Sequence, residues 1–330
     1  MLSKTFNLKE VIAERNKKIC GFIDLAHKVD SSMIRLPYMI VCGAEEGPVF
    51  LADCCVHGDE YEGAEAISKL YHDLDPAELK GTFVGVPAVN LEAFNAGDRV
   101  APIDWTYQDM NRAFPGNPEG LITSRVTYFY FENFIKEADF NLSFHGGGNG
   151  LYLEPLVTRL EPGTELGEIT ERLAMASGLK VVWEMNKNLP FDGTLIVEAK
   201  KVGVPSVTIE LGGQGVRVDH RDEMIELSVK AMKNMMIEFD MLEGVVERAP
   251  EDEIKQVEIK YVHTDEGGYH KLKVKPMDFV KGGTICSEIV DIFGNKVGEV
   301  AAPFDCYIVG YWSYSTIHPG NWAFLFGKPI

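Results

Sequence analysis

The sequence predicts an α/β fold, a largely parallel sheet flanked by helices, followed by a smaller all-β module. Three observations predict it. Short apolar runs alternate with amphipathic helical stretches from residue 36 to residue 242. Three of those runs stop at a histidine or a glutamate, as strands of an open sheet do at its crevice. Beyond a charged stretch at residues 247–255, no helical periodicity is found; β-branched and aromatic runs alternate there with Gly and Pro turns such as Lys281-Gly282-Gly283 and Pro319-Gly320-Asn321. The expected division is therefore 1–246 and 247–330.

Taken in order, residues 36–42 read as a strand after a polar entry, and the run Pro48-Val49-Phe50-Leu51-Ala52 as a buried strand entering Cys54-Cys55-Val56-His57-Gly58-Asp59-Glu60. Residues 62–74 place Ala64, Ile67, Leu70 and Tyr71 at helical spacing, and residues 81–87 form the next strand. A polar, Pro- and Gly-rich passage over 90–119 is too long for an ordinary connection, which marks it for function. Residues 123–135 read as a helix, and 139–144 as a strand stopping at His145-Gly146-Gly147-Gly148. A helix over 164–177, a strand over 179–183, a strand over 204–209 ending at Glu210 and a long helix over 222–242 complete the α/β part.

The chain has 330 residues, 45% of them hydrophobic, enough for a sizeable core. Its net charge of -18 repels phosphate backbones and anionic membranes, so neither nucleic acid nor membrane is expected as a partner. The N-terminus lacks the apolar core of a signal peptide and no run of 18 apolar residues occurs, which makes a cytoplasmic location the expectation. Six cysteines without a CxxC pair are most simply buried thiols.

Hydrolytic zinc sites take three protein ligands, commonly two imidazoles and a carboxylate. His57, Glu60 and His145 make that set, with Gly58 letting the backbone turn so that both loop side chains face one ion. A carboxylate is also needed to take a proton from the activated water, and Glu210, before Leu211-Gly212-Gly213, is the candidate base. Arg99 and Arg112, on the long loop of an acidic chain, suit a carboxylate and a developing oxyanion. Plainer readings stand beside these. A lone His-x-x-Glu is commonly a solvated loop, a strand-terminal Glu a cap or ion-pair partner, and loop arginines partners of surface acids. Cys55, sharing a strand face with His57, could suggest a thiol nucleophile, but two cysteines in an apolar strand are more simply core. Gly146-Gly147-Gly148 and Gly212-Gly213-Gln214-Gly215 match no phosphate-loop pattern.

The ordered set His57-Gly58-Asp59-Glu60, Asn90-Leu91-Glu92-Ala93-Phe94, Arg99, Asp109-Met110-Asn111-Arg112-Ala113-Phe114-Pro115-Gly116, His145-Gly146-Gly147 and Ile209-Glu210-Leu211-Gly212 resembles the succinylglutamate desuccinylase/aspartoacylase family. The resemblance covers nearly the whole chain. It implies a zinc-carboxypeptidase-like fold with a mixed, largely parallel sheet, and a deacylase with one Zn2+ per chain, acting on a small N-acyl amino acid. By it, His57, Glu60 and His145 are zinc ligands, Glu210 the base, Arg99 the group polarising the scissile carbonyl, and Asn111 with Arg112 the carboxylate clamp. The string His57-Gly58-Asp59-Glu60-Tyr61-Glu62-Gly63, with Pro102-Ile103-Asp104, is similar to the branch containing N-acetyl-diaminobutyrate deacetylases. Two departures are visible. Ser143 stands two before His145, where family members often have Asp, and the gap from Arg99 to Asn111 is long.

The C-terminal module resembles barrel-sandwich domains that carry biotin or lipoate, but Asn295 and Val297 do not give Lys296 the context of a modified lysine. A structural or substrate-gating role is expected instead. A carboxypeptidase-type peptidase is the alternative enzyme, and a catalytically silent binding or carrier protein the alternative outside catalysis. Oligomeric state stays open, a homo-oligomer included.

Overall fold

Strands with apolar residues on both faces need a helical layer on each side, and the two buried clusters show how the chain supplies them. In the computed structural model, which describes residues 6–185, 192–213 and 220–330, a short helix α1 (Leu8–Ile12) leads to β1 (Lys17–His27), β2 (Met33–Cys42) and β3 (Glu45–Asp53). Then come α2 (Ala64–Asp73), β4 (Lys80–Val86), α3 (Leu91–Ala96), α4 (Ile122–Asn133), β5 (Phe140–Gly146) and β6 (Leu151–Leu160). The α/β part ends with α5 (Glu165–Ala176), β7 (Val181–Met185), α6 (Leu195–Lys201), β8 (Ser206–Gly212) and α7 (Arg221–Glu238). Phe50 and Ala52 of β3, Phe140, Leu142 and Phe144 of β5 and Val207 and Ile209 of β8 pack against Leu70 of α2, Leu173 of α5 and Met232 of α7. Leu51, Val84 and Val86 face the opposite way, against Phe129 and Tyr130 of α4 and Leu195 of α6. The period of two in each strand thus leaves Asp53, Asn141, Ser143, His145, Thr208 and Glu210 on the α4/α6 face.

The layering of the chain reads as a largely parallel sheet and the family resemblance as a mixed one; the sheet is mixed. β4, β3, β5 and β8 are parallel neighbours, but β1 and β2 extend the sheet antiparallel on one side and β6 pairs antiparallel with β8 on the other.

Beyond α7 the described elements are a 3₁₀ turn (Glu251–Glu253), β9 (Lys255–His263), β10 (Gly268–Leu272), β11 (Phe279–Val280), β12 (Ile285–Val290), β13 (Lys296–Ala301), β14 (Cys306–Trp312), β15 (Thr316–Ile317) and β16 (Trp322–Pro329). This all-β part shares its hydrogen bonding with the first. β9 pairs parallel with β7, β16 pairs with β9, β14 pairs with β16, and β14 returns to β6 at Tyr311↔Tyr152. β6, β7, β9, β16 and β14 therefore close a five-stranded barrel across the 246/247 division, around Leu156, Val181, Val257 and Val309. The remaining sheet, ordered β13-β12-β10-β15, contributes Cys286, Ile289 and Ile317 to a core shared with Phe324 and Phe326 of β16. Among the described residues no helix is long and apolar enough to cross a membrane.

Candidate metal centre and active-site cleft

The loop after β3 places the first two candidate ligands. β3 stops at Asp53, and Cys55 turns the chain with a φ of 54°. Cys55 therefore does not share a strand face with His57, as the sequence suggests. The Cys54 and Cys55 thiols both donate to the Glu60 carbonyl oxygen, at 3.2 and 3.3 Å. The neighbouring Cys54 and burial push the Cys55 thiol well above its ordinary pKa, the opposite of a nucleophile. Gly58 is not in the left-handed region; its missing Cβ serves close packing, because a Cβ there would overlap the Ala93 carbonyl carbon of α3. Asn90, the first residue of the Asn-Leu-Glu-Ala-Phe motif, caps α3 by accepting from Ala93 N and donates its own N–H to the Cys55 carbonyl. Loop and helix start are thus one packed unit.

His145 comes from β5 and Glu210 from β8, side by side in register. His57, Glu60 and His145 are all buried, and their ligand-type atoms lie within 4.8 Å of one another. The Glu60 carboxylate bridges the rings, with Oε1 2.8 Å from His57 Nδ1 and Oε2 2.7 Å from His145 Nδ1. Burial opposes ionisation of Glu60, but the two imidazoles outweigh it and hold the carboxyl well below the usual carboxylate range. Two imidazoles and one ionised carboxylate in a buried triangle fit a tetrahedral divalent ion, zinc among them.

Asp109 organises the neighbouring polar groups. Its Oδ1 lies 3.1 Å from His57 Nε2 and accepts from Asn111 N at 2.8 Å, capping the 3₁₀ turn Met110–Arg112. Its Oδ2 accepts from Arg99 Nε and Nη2, at 3.3 and 3.1 Å, while Arg99 Nη1 donates to Glu60 at 3.3 Å. Burial works against the Asp109 charge, but His57 and the arginines keep its carboxyl well below its ordinary pKa. The Asn111 side-chain oxygen accepts from Leu195 N at 2.9 Å, and Arg112 Nη1 donates to the Asn111 carbonyl at 2.7 Å. Sequence reasoning quoted Asp109 only as part of a motif and gave it no role. Asp104, quoted likewise, accepts from Thr106 and from Thr123 N and so starts α4.

Glu210 sits partly exposed on the cleft wall. Burial pushes its carboxyl up to about 8, with His145 opposing and Glu60 adding to the rise. A divalent cation alongside would draw it back down. Ser143, the departure two residues before His145, donates to Asp53 Oδ1 at 2.6 Å. Asp53 is its cross-strand partner, fully buried, and its Oδ2 also accepts from Tyr130 OH at 2.9 Å and Asn141 Nδ2 at 2.8 Å. A buried carboxylate thus lies directly across from position 143, on the neighbouring strand β3.

The cleft, about 830 Å³ with its solvent-open part, brings His57, Glu60, Arg99, Asn111, Arg112, His145 and Glu210 together. It also takes in residues that sequence reasoning missed: Trp183 of β7, Tyr261 of β9 and Trp322 and Leu325 of β16. Nothing local in the sequence marks these, since they reach the cleft through barrel closure. Of the glycine-rich pairs, Gly146 and Gly147 line the cleft, whereas Gln214 and Gly215 lie outside the described residues. Five cysteines are buried as expected and Cys20 is exposed. Lys296 is ion-paired on the surface with Glu299 and Glu288.

Residues 46–238, more than half of the chain, match the model of the succinylglutamate desuccinylase/aspartoacylase catalytic domain. A curated relative, N-alpha-acetyl-L-2,4-diaminobutyric acid deacetylase of Halomonas elongata, is 26% identical over 85% of this chain and 82% of its own length. Among solved structures, a succinylglutamate desuccinylase from Silicibacter superposes with a TM-score of 0.88 at 23% identity, covering 100% of this chain and 98% of that one. The product-bound ectoine utilization protein EutE (DoeB) of Ruegeria pomeroyi does so with a TM-score of 0.88 at 23% identity, covering 99% and 98%. At those identities the structures show the fold, and the matched domain shows the rest: the chain belongs to the succinylglutamate desuccinylase/aspartoacylase family, on the side of its N-acetyl-diaminobutyrate deacetylase branch.

Proposed function

We propose that this chain is a zinc-dependent deacylase that hydrolyses the amide bond of a small N-acyl amino acid. The observation that carries the reading is the convergence, in one cleft, of the buried His57–Glu60–His145 triangle, the carboxylate of Glu210 on β8 and two arginines. His57, Glu60 and His145 would hold the ion, which when bound supplies a water of lowered pKa and a Lewis acid for the carbonyl.

The chain's own residues do the remainder. Asn111 and Arg112 hold the substrate carboxylate; with Oδ1 engaged by Leu195 N, the Asn111 amide offers its NH2 to an acceptor. Glu210 takes the proton of the attacking water and returns it to the leaving amine, a task that suits a carboxyl of raised pKa. Arg99, held by Asp109 beside Glu60, presents its positive charge where the oxyanion develops. Tyr261, Trp322 and Leu325 bring residues 247–330 into the cleft wall, which supports a substrate-shaping role for the C-terminal part.

Glu210→Gln tests the assignment. It should keep the metal and lower kcat about 10²- to 10⁴-fold, with little change in KM. Unchanged kcat in a metal-replete variant would remove Glu210 from the role.

A further inference from the structure

Besides its charged and polar groups, the cleft is lined by three aromatic rings and several aliphatic side chains. Trp183 lies two residues along β7 from Val181, and Tyr261 four along β9 from Val257, so both continue the barrel's inner face to the cleft. The rings form a connected wall, with centroids 6.3 Å apart for Trp183 and Tyr261 and 4.7 Å for Tyr261 and Trp322. Leu153, Leu325 and Ile196 border it, all three buried. Tyr261 and Leu325 are cross-strand partners, so ring and aliphatic chain form one surface.

Charge on the described lining is confined to the catalytic side. The carboxylates there are Glu60 and Glu210, and the guanidinium groups are Arg99 and Arg112. Arg99 is already committed to Glu60 and Asp109. Among the described residues, a substrate whose α-carboxylate engages Arg112 therefore meets no further cation for an anionic side chain. An ammonium side chain meets no further carboxylate among the described residues, and two guanidinium groups oppose its entry. Ring faces attract cations, but the aliphatic border cannot solvate one. Tyr261, Trp183 and Trp322 line the same cleft as Asn111 and Arg112, so one bound molecule can meet both the carboxylate clamp and the aromatic wall.

The geometry points to an N-acyl amino acid with a large apolar or aromatic side chain as the substrate, that side chain lying on the Trp183–Tyr261–Trp322 wall. This rests on the deacylase reading above and deepens it. It also separates the chain from its Halomonas relative, whose name specifies a side chain ending in an amine.

The test uses the full-length zinc-loaded protein with N-acetyl-L-phenylalanine, -leucine and -methionine against N-acetyl-L-aspartate, -glutamate and N-acetyl-L-2,4-diaminobutyrate, reading released amine. The apolar group should lead in kcat/KM by about 100-fold or more. Preference for an acidic or amine-bearing member would overturn the inference and leave the deacylase intact; hydrolysis of none would overturn both. An acyl series on N-acyl-glycine separates the two ends of the substrate: a gain from benzoyl over acetyl, with no dependence on side chain, would assign the wall to the acyl group and overturn the proposal. Trp183→Ala should raise KM for N-acetyl-phenylalanine at least about 10-fold and reduce the phenylalanine-to-alanine preference, with Trp183→Phe restoring most of it. Calorimetry of N-acetyl-phenylalanine and N-acetyl-aspartate binding to Glu210→Gln gives the same comparison without turnover; equal affinities would contradict the wall.

Discussion

At the residue scale, the account turns on which neighbour each polar side chain is given. Asp109 touches the ring nitrogen of His57 that faces away from Glu60, and it holds Arg99 by two bonds. A partner on the outer nitrogen fixes the tautomer and orientation of a ligand histidine. Asp109→Asn should therefore weaken metal affinity by about 10- to 100-fold, measured by competition with a chelator of known affinity. An unchanged metal affinity would reduce Asp109 to a cap for the 3₁₀ turn. His57, Glu60, His145 and Glu210 were legible in the sequence because each stands at or just beyond the end of an apolar strand, where side chains of a parallel layer converge. Asp109 was not, because an Asp two residues before an Asn reads equally well as a turn residue. The roles expected of Gly58 and Cys55 exchanged for a similar reason. A residue name reveals neither a positive φ, found at Cys55, nor a backbone packed against α3, found at Gly58.

At the element scale, β3, β5 and α4 are stitched under the site by Asp53, through Ser143, Asn141 and Tyr130. Burial raises the Asp53 carboxyl, and the three donors work against that rise. Asp53→Ala strands three buried donors, each costing about 1–3 kcal/mol. Urea unfolding should show a loss of at least about 3 kcal/mol, whereas a loss below about 1 kcal/mol would mean that the donors find other partners. Ser143→Asp would set a second carboxylate against Asp53 and should destabilise the chain as well. The elements on either side of the site were read from their patterns: β2 to β5, α2, α4, α5, β7, β8 and α7 fall within a few residues of expectation. β6 is not legible in the sequence because Pro155 breaks its pattern, at a register shift between Leu153 and Leu156. β1 reads as polar because it is an edge strand with few fully buried positions.

At the scale of the whole molecule, the barrel joins the C-terminal strands to the α/β layer, and its closure between β14 and β6 spans more than 150 residues of sequence. No window of sequence displays that pairing, so the barrel and the aromatic wall are not legible there, whereas the change of composition near residue 247 is plain. The packing of the four-stranded sheet beneath the barrel makes its own prediction. His270 is buried with Nδ1 3.2 Å from the Trp312 carbonyl and Nε2 2.9 Å from Ser287 Oγ. The carbonyl requires a proton on Nδ1, so Nε2 accepts from the serine and the ring is neutral. Burial lowers its pKa, and the Trp312 carbonyl offsets this only in part. Because the unfolded chain then binds a proton more readily than the folded one, this stabilisation is complete above about pH 6.5 and is lost as the pH falls below it. Between pH 7.5 and 5.5 the Tm of the native protein should drop more steeply than that of His270→Gln. Parallel slopes would place the acid sensitivity elsewhere.

The central claim is that the buried His57–Glu60–His145 triangle is a working metal centre. Elemental analysis of the purified protein, joined to deacylation of an N-acetyl amino acid panel before chelation, after chelation and after adding zinc back, tests it most directly. The account predicts one divalent ion per chain, loss of amine release on chelation and recovery with zinc, with His145→Ala abolishing both binding and recovery. A protein that binds no divalent ion, or that releases amine undiminished after the metal is stripped, would contradict it.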